Sequence, residues 1–333
     1  MKIDAAMRAA IEQADRVKGR TYPNPPVGAV ILDRDGEVAG IGATTPAGGP
    51  HAEVLALRRA GGRAVGGTAV VTLEPCNHFG RTPPCVDALV AAQISSVVYA
   101  VPDPNPTAAG GAARLAGAGV YVTAGVLSDA VGGGPLREWL HKQRTGLPHV
   151  TWKLATSVDG RSAAADGTSQ WITSEAARAD VHRRRAAADA IVVGTGTVFF
   201  DDPALTARLP DGSLAEHQPL RVVVGKREIS PEAKVLNDDS RTMVIRTRDP
   251  HEVIKALSDR TDVLLEGGPT LAGAFLRVGA IDRILAYVAP ILLGGPITAV
   301  DDVGVLGIAH AQRWRFDGMD PIGPDVLLSL KPA

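Results

Sequence analysis

At 333 residues the chain is long enough for two ordinary domains, each burying its own core. A formal net charge of -1 and an isoelectric point near 6.7 argue against a nucleic-acid-binding role, and only residues 182–185 concentrate positive charge. The N-terminus lacks an apolar core of signal-peptide length and no later stretch is long and apolar enough to span a bilayer, so a cytoplasmic protein without membrane contact is expected.

Apolar residues at helical spacing (Ile3, Met7, Ala10, Ile11, Ala14, Val17) predict an amphipathic helix over residues 3–18, ended by Gly19. A Pro-rich loop feeds a strand that ends at Leu32, residues 33–36 make a hairpin turn, and 38–43 form the return strand. A helix is expected over 52–60, strands over 68–73 and 96–101, a short Ala-rich helix over 112–119 and a last strand over 120–123. This alternation fits a layered α/β domain. The pattern restarts near residues 145–148, which places the boundary between domains of residues 1–146 and 147–333. The second half opens on a strand at 150–156. It continues with a helix after Ser174, a plausible N-cap with Glu175 in the first turn, a buried strand at 190–193, a strand at 263–266 and a helix from Leu271.

Chemistry concentrates between His51 and Cys85. One imidazole and two thiols (His51, Cys76, Cys85) suit zinc, and three protein ligands leave a fourth position for water, where a closed structural site would take four. A disulfide between the two cysteines is formally possible, but a reducing compartment and the nearby His-x-Glu favour thiolate ligands. Glu53, two residues after His51 at a helix start, is placed to reach a metal-bound water. His-x-Glu followed by Pro-Cys is the signature of zinc deaminases, with the glutamate as general acid and base. Two other readings stand beside this one. A scaffold with structural zinc would not need Glu53. A nucleic-acid base deaminase would want a basic groove and aromatic stacking positions, and aromatic residues make up 4% of the chain.

Residues 74–85 read Glu-Pro-Cys-x-His-x-Gly-Arg-Thr-Pro-Pro-Cys, with the cysteines further apart than in Cys-x-x-Cys. This string closely resembles the bifunctional riboflavin-biosynthesis deaminase/reductase family. Residues 24–28, Asn-Pro-x-Val-Gly, match a loop that borders the pyrimidine pocket of deaminases, which implicates Asn24 in substrate binding. By the same resemblance Asp103 and Asn105, in the rigid loop after the 96–101 strand, contact the substrate ring or ribose, and His78 and Arg81 meet its ribose and phosphate. Residues 132–135 and 139–142 depart from the family's pattern; the change is expected to affect domain packing and leave the chemistry untouched.

In the second half, glycine turns follow the strands at 190–193 and 263–266, a weak signal for phosphate binding by itself. Here too Lys-x-x-x-Ser-x-Asp-Gly-Arg, Ser-Gln-Trp-Ile-Thr, Asp-Asp-Pro-x-Leu-Thr-x-Arg and Glu-Gly-Gly-Pro-Thr-Leu resemble the reductase half of the same family. The resemblance implies a cytidine-deaminase-like domain followed by a dihydrofolate-reductase-like domain, using zinc and NADPH on a phosphorylated pyrimidine. It assigns the cofactor to Lys153, Ala155, Thr173, Gly194, Thr197, Asp201, Gly267, Gly268 and Thr270, and the reductase substrate to Ser169, Trp171, Arg185, Asp201, Leu205, Arg208 and Glu266. Of the arginine run, Arg185 alone is expected to face inward. Relatives also suggest a homodimer or larger homo-oligomer built through the reductase half.

Overall fold

The computed structural model describes every residue except Arg81. The chain forms two compact units, Met1–Gly146 and Leu147–Ala333.

The first unit is a five-stranded sheet between helices. Its strands are β1 (Gly28–Leu32), β2 (Val38–Ala43), β3 (Thr68–Leu73), β4 (Ser96–Val101) and β5 (Tyr121–Ala124), in the order β2-β1-β3-β4-β5. The β1-β2 hairpin and the β1-β3 pair are antiparallel, whereas β3, β4 and β5 run parallel. Helices α1 (Ile3–Arg16), α2 (Ala52–Ala60), α3 (Cys85–Ala91), α4 (Gly111–Gly117), α5 (Ser128–Gly132) and α6 (Arg137–Thr145) cover it. α1 buries Ala6, Met7, Ala10 and Ala14, the stripe its periodicity predicts.

Two glycines on β2 set the position of α2. A Cβ on Gly40 would lie 2.1 Å from the Ala56 carbonyl oxygen, and one on Gly42 would lie 2.2 Å from that of Ala52. The helix therefore rests on bare backbone, and its first turn, with His51 before it and Glu53 within it, is fixed against the sheet.

The second unit carries an eight-stranded sheet in the order β12-β13-β11-β6-β10-β7-β8-β9. Its strands are β6 (His149–Ser157), β7 (Ala190–Gly194), β8 (Leu220–Val224), β9 (Thr242–Ile245), β10 (Asp262–Leu265), β11 (Arg283–Ala289), β12 (Trp314–Ile322) and β13 (Asp325–Pro332). From β11 to β9 every neighbouring pair is parallel, and β13 and β12 complete the sheet as an antiparallel edge. Helices α7 (Glu175–Ala187), α8 (Thr195–Asp201), α9 (Pro250–Ala256) and α10 (Pro269–Arg277) join the strands. Ser174 caps α7 as expected, its Oγ accepting from the Ala177 N–H at 3.3 Å. At the N-terminal rim of the parallel strands, buried Asp189 accepts the Thr261 and Asp262 N–H groups at 2.8 and 3.0 Å.

Candidate active sites and family

Two helix starts and a strand end bring the three candidate ligands together. His51 precedes α2, Cys85 opens α3, and Cys76 follows β3. His51 Nδ1 lies 3.2 Å from Cys85 Sγ and 3.5 Å from Cys76 Sγ, and its Nε2 is 3.4 Å from Thr82 Oγ1, a contact that fixes the ring orientation. The Cys85 backbone N–H donates to Cys76 Sγ at 3.3 Å. The Cys85 thiol, helped by His51 and by that backbone N–H, holds the Cys76 thiol well below its ordinary value and so favours thiolate there. Its partner Cys85 is pushed up by the same hydrogen bond and by burial. One imidazole nitrogen and two sulfurs, all within 4.8 Å of one another, form a soft donor set that fits zinc.

Glu53 is 4% exposed. Burial, reinforced by negative charge on Cys76, raises its carboxyl to about 7, where it can both take and give a proton near neutrality. His51, Glu53 and Cys76 border a cavity of about 350 Å³. Asn24, His78, Asp103 and Asn105 line the same cavity, so these four expected substrate contacts converge on the Glu53 centre. The buried Nδ1 of His78 has no hydrogen-bond partner among the described residues. Arg81 lies outside the described residues.

The cavity also holds residues that the sequence reading passes over. Glu74, buried at the end of β3, accepts the Asp103 N–H on Oε2 at 3.2 Å and the Ala112 N–H on Oε1 at 2.9 Å. It thus suspends the 103–105 loop, in which Asp103 accepts the Asn105 N–H at 2.9 Å. Trp139 and Gln143, one turn apart on α6, form another wall. This corrects the expectation that the 139–142 region bears only on domain packing: α6 faces the deaminase cavity.

In the second unit Lys153 (β6), Glu266 (after β10) and Arg185 (α7) form a half-buried cluster. Arg185 donates to both Glu266 oxygens, and its Nη1 to the Thr206 carbonyl at 3.2 Å; Lys153 Nζ lies 3.8 Å from Glu266 Oε2. The Arg185 guanidinium is thereby committed to the protein rather than open to a phosphate. Arg184 also turns inward, donating to Asp180 and to the Tyr287 hydroxyl at 2.8 Å each, while Arg183 remains exposed. Leu205 is buried in the core at φ +52°, so its backbone alone could meet a ligand.

The glycine turns do come together: a Cβ on Gly268 would lie 3.9 Å from Thr197 Oγ1, and Gly194 caps α8. Gly267 packs on Leu271, and Thr270 donates to Asp301 at 3.3 Å. Ser169 donates to Asp201 at 3.3 Å. Trp171 is exposed beneath the Arg178 guanidinium, which itself donates to the Thr173 carbonyl. Ala155 sits half-buried on β6, and Arg208 is exposed, donating to the Gly212 carbonyl at 2.9 Å.

Residues 1–101 match the family described as cytidine and deoxycytidylate deaminase zinc-binding region, and residues 148–328 match the RibD C-terminal domain. The riboflavin biosynthesis protein RibD of Mycobacterium tuberculosis is 73% identical over 328 residues, covering 98% of this chain and 97% of that protein. Its Escherichia coli counterpart is 39% identical over 372 residues, covering both chains in full. The chain belongs to the RibD family. Solved RibD structures agree: that of Acinetobacter baumannii superposes with a TM-score of 0.89 at 39% identity over 99% of both chains. A Thermotoga maritima structure, described as a diaminohydroxyphosphoribosylaminopyrimidine deaminase/5-amino-6-(5-phosphoribosylamino)uracil reductase, does so at 0.89 and 30% identity, again over 99% of both. As a RibD protein the chain is a bifunctional enzyme of riboflavin biosynthesis, with a zinc-binding deaminase domain and a reductase domain whose family implies a nicotinamide cofactor.

Proposed function

We propose that residues 1–146 hydrolytically deaminate 2,5-diamino-6-ribosylamino-4(3H)-pyrimidinone 5′-phosphate, and that residues 147–333 then reduce the ribosyl group of the product to ribityl with NADPH. The description of the Thermotoga maritima neighbour names this pair of reactions for that protein. The observation that carries the first step is Glu53, buried beside a His-Cys-Cys donor set at the wall of a cavity.

His51, Cys76 and Cys85 would hold the zinc, which when bound would supply the Lewis acidity that makes water reactive near neutral pH. Glu53 takes a proton from the attacking water and returns it to nitrogen as the exocyclic amine leaves as ammonia. Asn24, Asp103 and Asn105 hold the pyrimidine ring, and His78 and Arg81 take the ribose phosphate.

In the reductase, C1′ accepts a hydride, the C1′–O bond of the sugar ring breaks, and the ring oxygen takes a proton. We assign that proton to Lys153. Glu266 is held anionic at about 2, with Arg185 bound to both its oxygens, and so cannot act as the acid. Lys153 is a cation whose pKa burial lowers. Thr173, Gly194, Thr197, Gly267, Gly268 and Thr270 cradle the dinucleotide, while Ser169, Trp171, Asp201 and Arg208 face the substrate. A reducing cytoplasm, consistent with the free cysteines, and a homo-oligomer built through the reductase half complete the proposal.

The test is a two-part assay of zinc-loaded protein with the diaminopyrimidinone substrate. Ammonia release without cofactor, followed by NADPH oxidation only after deamination, is expected. NADPH oxidation on the undeaminated substrate would overturn the order. Ammonia without NADPH oxidation would overturn the reductase assignment alone.

A further inference from the structure

The parallel strands of the large sheet end on one rim, and their register orders what lies along it. Gly194 pairs with Val224 across β7 and β8, and Val224 pairs with Ile245 across β8 and β9. The segments that follow, residues 195–197, 225–227 and 246–248, therefore leave the sheet side by side. Gly225 has φ +143°, and a Cβ there would sit 2.4 Å from Thr195 Oγ1, so the turn after β8 packs directly on the turn that opens α8.

Going along the rim from β6, one meets first Lys153 and Glu266, then the glycine turns at 267–268 and 194–197, and last a basic segment. A dinucleotide whose reacting end lies at Lys153 and whose diphosphate lies on the glycine turns must extend its adenosine half over β8 and β9.

That end of the rim carries exposed cations, two of which have no hydrogen bond or ion pair among the described residues. Lys226 and Arg227 are exposed, and no hydrogen bond or ion pair engages either among the described residues. The Arg227 guanidinium lies 4.9 Å over the exposed Phe199 ring, and no carboxylate or carbonyl takes its N–H groups among the described residues. Arg246, at the end of β9, has only an exposed contact of 4.0 Å with Glu228. A guanidinium without an ionic partner suits a phosphate monoester, to which it can donate in pairs; a hydroxyl gives it much less.

We propose that Lys226 and Arg227, supported by Arg246, bind the 2′-phosphate of the cofactor and select NADPH over NADH. This rests on the assignment of residues 147–333 as the nicotinamide-dependent reductase.

The experiment measures kcat/KM with NADPH and NADH on pre-deaminated substrate, and binding of 2′,5′-ADP and 5′-AMP by calorimetry, for the full-length protein, Lys226→Ala/Arg227→Ala and Lys226→Arg/Arg227→Lys. In the alanine variant kcat/KM with NADPH is expected to fall roughly 30- to 100-fold, mainly through KM, with NADH turnover unchanged and the advantage of 2′,5′-ADP over 5′-AMP lost. The charge-retaining variant is expected to keep most of the preference. A preference for NADPH that survives in the alanine variant would overturn the clamp and leave the NADPH reading intact. Equal loss with both cofactors would overturn it too. A native protein that uses both cofactors equally would sink the NADPH reading and the clamp together.

Discussion

Arg185 grips Glu266 with one edge of its guanidinium, Nε to Oε1 at 2.7 Å and Nη2 to Oε2 at 2.9 Å, and the two side chains are 16% and 7% exposed. Removing Arg185 leaves Glu266 only one ion-pair partner among the described residues, the more distant Lys153 at 3.8 Å. Arg185→Met is expected to destabilise the second unit by about 1–3 kcal/mol, whereas Arg185→Met with Glu266→Gln, which removes the carboxylate and keeps an acceptor for Lys153, should recover part of that loss. Denaturant unfolding of the three proteins checks it, and a double variant less stable than the single one would contradict it.

The same pair sets an acid limit. The Glu266 carboxyl falls from 4.5 to about 2 in the fold. The folded state thus binds fewer protons than the unfolded state between those values. Its stabilisation is complete above about pH 4.5 and is lost as pH falls toward 2, a span worth about 3 kcal/mol. Melting temperature against pH should drop less steeply over this window in Glu266→Gln than in the native protein.

Replacing Glu53 with Gln keeps the side chain's shape and removes its ability to carry the proton. Deamination is expected to fall about 10²–10⁴-fold with zinc content unchanged, and NADPH oxidation on pre-deaminated substrate should be untouched. Metal analysis alongside ammonia release decides the matter; undiminished ammonia release would refute the role.

A methyl group on Gly42 would meet the Ala52 carbonyl and the Ala56 nitrogen, both backbone atoms that cannot swing aside. Gly42→Ala should cost about 1–3 kcal/mol and displace the first turn of α2, lowering zinc occupancy and deamination while the reductase persists. Gly62→Ala, with nothing within 4 Å of its Cβ, is the neutral control.

Glu74 satisfies two backbone N–H groups, one with each carboxylate oxygen. An amide offers a single acceptor oxygen, so Glu74→Gln leaves one buried donor facing an NH₂ group. The expected result is a KM for deamination raised about tenfold through the loosened 103–105 loop, at unchanged zinc content. An unaltered KM would show that the loop holds without it.

Much of the first unit was legible because its signals are local. β2, α2, β3 and β4 occupy the stretches that alternation and helical spacing mark, and a ligand set read from residue types closes up at hydrogen-bonding distances. What escaped depends on tertiary direction. Nothing in residues 137–145 says that one face of α6, carrying Trp139 and Gln143, borders the cavity. Nothing in the arginine run says that Arg185 meets a carboxylate 81 positions away while Arg184 finds Tyr287. Strands β8, β9 and β11 to β13 went unassigned: β11 lies against β6, far off in the chain, while the β12-β13 hairpin carries exposed side chains that blur its alternation, and α3 was hidden because it opens on Cys85 at the end of the motif.

The parallel strands of the second unit give it two unlike ends. One rim gathers Lys153, Glu266, the glycine turns and the basic segment; the other is sealed by Asp189, which ties the starts of β7 and β10 together. Loss of the Asp189 carboxylate would therefore loosen the sheet at the rim opposite the proposed chemistry.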